Sequence, residues 1–169
     1  MQWLYSNNAN NTCRYVLGTS GSRPLICIGV NPSTAEPDNL DNTLKSVARI
    51  ASQNGYDSWI MLNLYPQRAT NPNDMDKIYN EQSAAINFQQ INELLLSYEG
   101  ADIWAAWGTL IGKRKYLKDC LSQINSIASV YNCKWVSFGK TSKHGHPHHP
   151  LYIKNDSPKE VFDISTYLT

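Results

Sequence analysis

Two asparagines and a histidine-rich loop are the residues of this chain whose types and placement could do chemistry. Asn31 follows the apolar run LICIGV (25–30) and precedes Pro32. Asn63 lies inside WIMLNLY (59–65), where a polar side chain is out of character. A carboxamide offers one acceptor and two donors in a plane, and that pattern matches the edge of a nucleobase. Left unpaired in a buried place it costs ~1–3 kcal/mol, so it must bond either nearby backbone or a ligand. For Asn31 the alternatives are a local turn bond, common for Asn before Pro, and an amide that holds a water or a substrate edge. For Asn63 they are neighbouring backbone and a ligand.

The stretch KTSKHGHPHHP (140–150) carries histidines 144, 146, 148 and 149. Metal binding is one reading, because imidazole is a common ligand. The alternating and adjacent spacing gives no familiar tetrahedral set, however, and no carboxylate or thiolate lies close in sequence. A single catalytic histidine with basic neighbours is the second reading. Lys140, Lys143 and Arg68 would then hold phosphate oxygens. A solvated basic loop is the third. There is no G-x-S-x-G nucleophile elbow, and GTSGSR (18–23) lacks the GK[ST] ending of a phosphate-binding loop.

The elements that must position these residues follow from apolar periodicity. LICIGV, SWIMLNLYP (58–66), ADIWAAWG (101–108) and CKWVSFG (133–139) read as four short strands covered on both faces. Tyr15–Leu17 reads as a short edge strand, and GTSGSR as a turn. Residues 41–55, about 79–98 and 113–131 show helical spacing, and Gly55 stops the first of these. DSPKEVFDISTYL (156–168) reads as a closing helix with Ser157 as cap and Pro158 in its first position. Strands alternating with helices predict one α/β domain, 1–169. It is a three-layer α/β/α sandwich around a central, mainly parallel four-stranded sheet. Ligands of such sheets bind beyond the carboxyl ends of the strands. The tips VNPST, NLYPQRAT, WGT and FGKTSKHGHPHHP should therefore converge on one site.

Bulk properties set limits on function. The chain has 169 residues with 15 Lys and Arg against 14 Asp and Glu, a net charge of +1. Any nucleic-acid surface must therefore be a local patch. The four cysteines, at 13, 27, 120 and 133, form no CxxC pair, so zinc and iron–sulfur readings are weak, and Cys27 reads as core. No apolar run approaches the ~18 residues of a membrane span, and MQWLYSNNANN lacks a leader pattern. The expectation is a cytoplasmic protein with reduced thiols, no membrane association, no cofactor and no metal.

The order of the tips carries a resemblance. GVNPS (29–33), NLYPQRATNP (63–72), Trp107-Gly108 and HPLY (149–152) resemble the strand tips of the uracil-DNA glycosylase superfamily, over about 25–153. GVNPS is similar to the mismatch-specific, thymine-glycosylase-like branch. NLYPQRATNP is similar to a segment of the thermophile-type branch. The chain also resembles a bacterial and phage family of unknown function with N-P-S-T-A, an acidic D-x-T segment matched by Asp41, Asn42 and Thr43, N-L-x-x-x-R-A-T-x-P, W-G and H-P-L-Y.

The resemblance implies a uracil-DNA glycosylase-like fold and a monofunctional DNA glycosylase that flips out and excises a pyrimidine. Asn31 matches the water-positioning residue and His149 the histidine beside the leaving base's O2; these are the implied catalytic pair. Asn63 resembles the base-reading residue, with Gly29, Pro32, Ser33, Tyr65 and Arg68 as further substrate-binding positions. Lys140, Lys143, His146, Leu151 and Tyr152 are the implied DNA contacts, Leu151 and Tyr152 standing where the superfamily inserts a wedge. Leu151 departs from the Ser that follows His-Pro in the superfamily. Ser33 replaces the Tyr that blocks the pyrimidine 5-position in uracil-specific members. A pocket for 5-modified pyrimidines, such as hydroxymethylated or glucosylated cytosine of phage DNA, is the resulting expectation, with a defence role following from it. The implied partner is DNA, double-stranded with a flipped base or single-stranded, and no protein partner is implied. Two other classes stay open: an N-glycosidase of free nucleosides or nucleotides, and a non-catalytic binder of modified nucleic acid.

Overall fold

The computed structural model describes residues 1–169. Four parallel strands form its heart: β3 (Pro24–Gly29), β4 (Ser58–Asn63), β5 (Asp102–Ala105) and β6 (Lys134–Phe138). They are flanked by β1 (Trp3–Asn7) and β2 (Arg14–Thr19) on one side and β7 (Lys159–Val161) on the other, all antiparallel. The order is β1-β2-β4-β3-β5-β6-β7. The sheet thus has seven strands, correcting the four expected. The four parallel strands announce themselves by apolar runs, and the edge strands β1 and β7 need none, whereas β2, expected at an edge, lies between β1 and β4 and is buried throughout.

The apolar rows alternate as pleating requires. Ile26, Ile28, Ile60 and Leu62 face one core with Ile91 and Leu95 of α2 (Glu81–Ser97) and Leu117, Leu121 and Ile124 of α3 (Tyr116–Val130). Leu25, Cys27, Trp59 and Met61 face the other, against Leu44, Val47 and Ile50 of α1 (Asn42–Gln53). Fully burying such a side chain stabilises by roughly 1.5–3 kcal/mol. The sheet between these layers is consequently a rigid platform for whatever its tips carry. The chain has no helix long and apolar enough to cross a membrane.

Helix boundaries follow caps. Asp41 Oδ1 accepts from Leu44 N at 2.9 Å and starts α1; Asn80 Oδ1 accepts from Ser83 N at 3.0 Å and starts α2. Two expectations fail. The closing helix over 156–168 is instead β7 followed by α4 (Ile164–Leu168), capped by Asp163. Pro158 is not a first helical residue, because its carbonyl accepts from Gly139 N at 2.9 Å and leads Lys159 into pairing with Phe138. The turn over 18–23 also begins later, since Gly18 and Thr19 belong to β2. A Cβ on Gly18 would collide with the Trp59 carbonyl oxygen. That close approach explains the glycine better than turn formation does.

From β3 the chain runs to α1 on one face, whereas from β4 and β5 it runs to α2 and α3 on the other. Neighbouring strands are about 4.8 Å apart, so the tips of β4, β3 and β5 border one crevice at this reversal.

Candidate active site

Backbone bonds extend the ladder past the strands. Leu64 N donates to Gly29 O at 2.9 Å, Tyr65 N to Val30 O at 3.0 Å and Ala106 N to Ile28 O at 3.0 Å. Beyond them the Asn31 amide nitrogen lies 3.1, 3.3 and 3.0 Å from the carbonyl oxygens of Pro32, Gln67 and Ala69. All three partners only accept, so the amide cannot flip, and Oδ1 is presented as an acceptor with no protein donor. The local-backbone reading of Asn31 holds for its nitrogen, which staples two loops, and that staple fixes where the unpaired oxygen lies.

Asn63 differs. It ends β4 opposite Gly29 and is 1% exposed. Neither Oδ1 nor Nδ2 has a hydrogen-bond partner in the protein. A Cβ on Gly29 would lie 3.2 Å from Asn63 Oδ1 and 2.6 Å from Met61 Cε. Gly29 thus leaves the room in which the amide lies. From the other face, Asn87 of α2 donates Nδ2 to the Asn63 carbonyl at 2.9 Å and holds the strand end in place. Sequence reasoning missed Asn87, although a buried Asn on the apolar side of α2 is a readable signal.

His149 sits at the β5 side of the crevice. A Cβ on Gly108 would be 3.5 Å from His149 Cβ, so the Trp107-Gly108 tip packs directly on this loop. His149 Nδ1 accepts from Leu151 N at 3.2 Å. A neutral ring must then carry its proton on Nε2, which becomes a donor. Burial lowers the His149 pKa, and Asp41 partly opposes this. The ring lines a cleft of about 430 Å³ with Gly108, Leu110, Ser142, Leu151 and Tyr152. Leu151 and Tyr152 are 49% and 77% exposed at its rim.

Arg14, which sequence reasoning did not single out, opens β2 and is 2% exposed, yet no carboxylate pairs with it. Its Nη1 donates to Ala35 O at 3.1 Å, and its Nε has no partner. Burial, then neighbouring Arg68, pull its pKa down to about 10, with Asp41 opposing. Asp41 therefore acts on both Arg14 and His149, which ties the β2 side of the mouth to the β5 side.

The remaining candidates divide. Arg68 Nη1 donates to Ser33 O at 2.6 Å and Ala35 O at 3.1 Å, and Nη2 to the Tyr5 hydroxyl at 2.9 Å, so two of its five donors brace the 31–35 loop and a third ties it to β1. Pro32 is buried in that loop, and Ser33 Oγ lies 2.7 Å from Thr70 Oγ1. Tyr65 is not brought to the mouth: it is fully buried, and its hydroxyl donates to Asp76 at 2.6 Å and accepts from Asn80 N at 3.0 Å. His146 Nδ1 lies 2.8 Å from the Tyr167 hydroxyl, which accepts from Trp107 Nε1 at 2.9 Å. His146 lines both the cleft of His149 and a second one, about 760 Å³, whose cations Arg114, Lys115 and Lys118 come from α3 and its lead-in turn. Lys140 and Lys143 are exposed on the loop before it. The chain brings no three His, Cys, Asp or Glu side chains into a set that could hold a metal.

The family described as a protein of unknown function (DUF1643) matches residues 14–151. The chain belongs to that family. The DUF1643 match begins at Arg14 and ends at Leu151, so it spans every tip around the crevice and omits β1, β7 and α4. Neither the curated proteins nor the solved structures contain a match to the chain.

Proposed function

We propose that this protein is a DNA N-glycosylase on a uracil-DNA glycosylase-like scaffold, excising a flipped pyrimidine, by preference a 5-modified one. The observation that carries this reading is the Asn63 amide, buried and unpaired at the strand tips beside Gly29. A planar donor–acceptor pair held there matches the donor–acceptor edge of a pyrimidine. Base flipping costs a few kcal/mol, and bonds to an amide already stripped of water help to offset it.

As the N-glycosidic bond breaks, its electron pair moves onto the base and positive charge develops on the sugar. His149 Nε2–H donates to the base oxygen and stabilises its growing negative charge. A neutral donor suits this task, and burial keeps the ring neutral. Asn31 Oδ1 accepts a hydrogen bond from the water that adds to the sugar C1′. An amide has no useful basicity, so this water loses its proton only after the base has left. Leu151 and Tyr152 fill the gap in the duplex. Ser33, turned to Thr70, leaves no ring against the pyrimidine 5-position. Removal of modified bases from phage DNA is the biological role that follows.

The test is a panel of single- and double-stranded oligonucleotides containing uracil, mispaired thymine, 5-hydroxymethylcytosine or glucosylated hydroxymethylcytosine. Abasic sites are read by alkaline cleavage, with free nucleosides run alongside. Release from the 5-modified cytosines is expected. Cutting of uracil alone overturns the base preference, and base release from free nucleosides alone overturns the DNA reading. No release from any substrate overturns the enzyme.

A further inference from the structure

Next to Asn31 lies a feature that base recognition does not use. The 31–35 and 67–70 loops enclose a cleft of about 290 Å³, lined by Asn11, Ser33, Thr34, Arg68, Ala69 and Thr70. No carboxylate is among these residues. Ser33 and Thr70 share one hydrogen bond between two hydroxyls, which leaves one hydroxyl proton free to donate. The Asn11 carboxamide oxygen accepts from Asn7 Nδ2 at 2.9 Å, so its amino group has donors to spare. Arg68 retains one Nη2 hydrogen beyond its three bonds.

Behind the cleft stands Arg14. Its guanidinium and that of Arg68 both donate to the Ala35 carbonyl, each at 3.1 Å. Two cations therefore meet at one backbone oxygen, and one of them is 2% exposed with an unpaired Nε. The only ion pair of the chain lies elsewhere, between Lys159 and Asp102. Burying a cation without a direct ion pair, Asp41 opposing only from beyond ion-pair distance, is costly, so a fold that does this has placed positive potential to be used.

We propose that this cleft is a phosphate-binding subsite, its hydroxyl and amide donors contacting the oxygens and buried Arg14 supplying the field. The cleft shares its walls with the staple that aims Asn31, whose amide nitrogen bonds the carbonyls of Pro32 and Ala69. A phosphate held here belongs to the nucleotide whose sugar meets Asn31, or to its immediate neighbour. In that placement the inference rests on the glycosylase reading. The binding chemistry itself does not.

Two variants test it. Thr70→Glu puts a carboxylate into the cleft from an exposed loop position, and Arg14→Met removes the buried charge while Arg68 still satisfies Ala35 O. The probes are inorganic phosphate, thymidine 5′-monophosphate and a short single-stranded oligonucleotide with an abasic-site analogue, each titrated at several salt concentrations. Each variant should weaken oligonucleotide binding about ten-fold or more and flatten its salt dependence. Arg14→Met should also melt at the wild-type temperature or above it, which a merely structural arginine would not allow. Binding of the monophosphate and of inorganic phosphate, lost in Thr70→Glu, assigns the subsite to a terminal phosphate. Binding of the oligonucleotide alone, equally sensitive, assigns it to a phosphodiester. Wild-type affinity for all probes in Thr70→Glu overturns the proposal, whether or not Arg14→Met folds. Abasic-site yield is scored separately. Excision without sensitivity to these variants sinks the subsite alone, and sensitive binding without excision sinks the glycosylase alone.

Discussion

The two ends of the sheet treat polar groups in opposite ways. At the amino end, Asp57 accepts from Ser22 N and Arg23 N at 2.8 Å and from Ser22 Oγ at 2.7 Å. Nearby, the Tyr56 hydroxyl and Lys159 both donate to Asp102. This end borders the larger concavity, about 1080 Å³, yet its buried polar atoms are paired. At the carboxyl end, Asn63 has two unpaired atoms, and Arg14 and Arg68 each leave Nε unpaired. Concavity alone does not mark a functional end. Under the proposed function, unmet hydrogen-bonding capacity concentrated at one end does, because folding tolerates the cost of an unpaired buried amide only against some other gain.

Variants that separate activity from stability can break this contrast. Asn63→Leu should lower base excision by about 10³-fold or more, because the base-reading edge is gone. Its melting temperature should be unchanged or higher, because an unpaired buried amide is replaced by an apolar side chain of the same branching. A large drop in melting temperature with excision intact would erase the contrast. His149→Ala should cost about 10²–10³-fold in rate, the worth of one donor to a developing oxyanion.

The pH profile sharpens the same point. The folded His149 pKa lies below 6.5, so the ring stays neutral through pH 6.5; at lower pH a proton on Nδ1 displaces the Leu151 N–H that orients the ring, and the excision rate should fall only there. Below 6.5 the unfolded chain takes up this proton first, so His149 also makes stability decline as pH falls through that window.

At the amino end the order reverses. Asp57→Ala should lower the melting temperature at pH 7 and leave excision unchanged. The Ser22 hydroxyl, then the Arg23 and Ser22 backbone N–H groups, hold Asp57 down at about 2 against an ordinary 3.8. Its contribution is therefore complete above 3.8 and fades as pH falls toward about 2, so the variant and wild-type melting curves should converge there. Lys159→Met is the mildest change. Lys159 is 39% exposed, and an ion pair at that exposure is worth up to about 1 kcal/mol in a denaturant melt.

Burial on both faces is what made the parallel heart legible. Leu25–Ile28 and Trp59–Leu62 must be apolar throughout, and Asn63 stood out against that background. β7 was illegible because all three of its residues are exposed, and Ser157-Pro158 imitates a helix start. The start of α1 was readable to within a residue because Asp41 caps it. Among the candidate residues, the asparagines stood out from their neighbours, whereas His149 was told from the other three histidines only by the resemblance that HPLY carries. Arg14 could not, because nothing local tells a buried arginine from a solvated one. Arg68 looked like a free phosphate ligand because carbonyl partners such as Ser33 O and Ala35 O leave no trace in side-chain types.

The bond from Leu151 N to His149 Nδ1 reaches further than its 3.2 Å. It makes the polarity of the imidazole tip a property of main-chain folding rather than of solution acidity. Were that amide hydrogen removed, as a proline at 151 would do, the ring could carry its proton on Nδ1 and turn a lone pair toward the crevice. The same histidine, in the same position and with the same charge, would then repel the base oxygen that the proposed reaction brings to it.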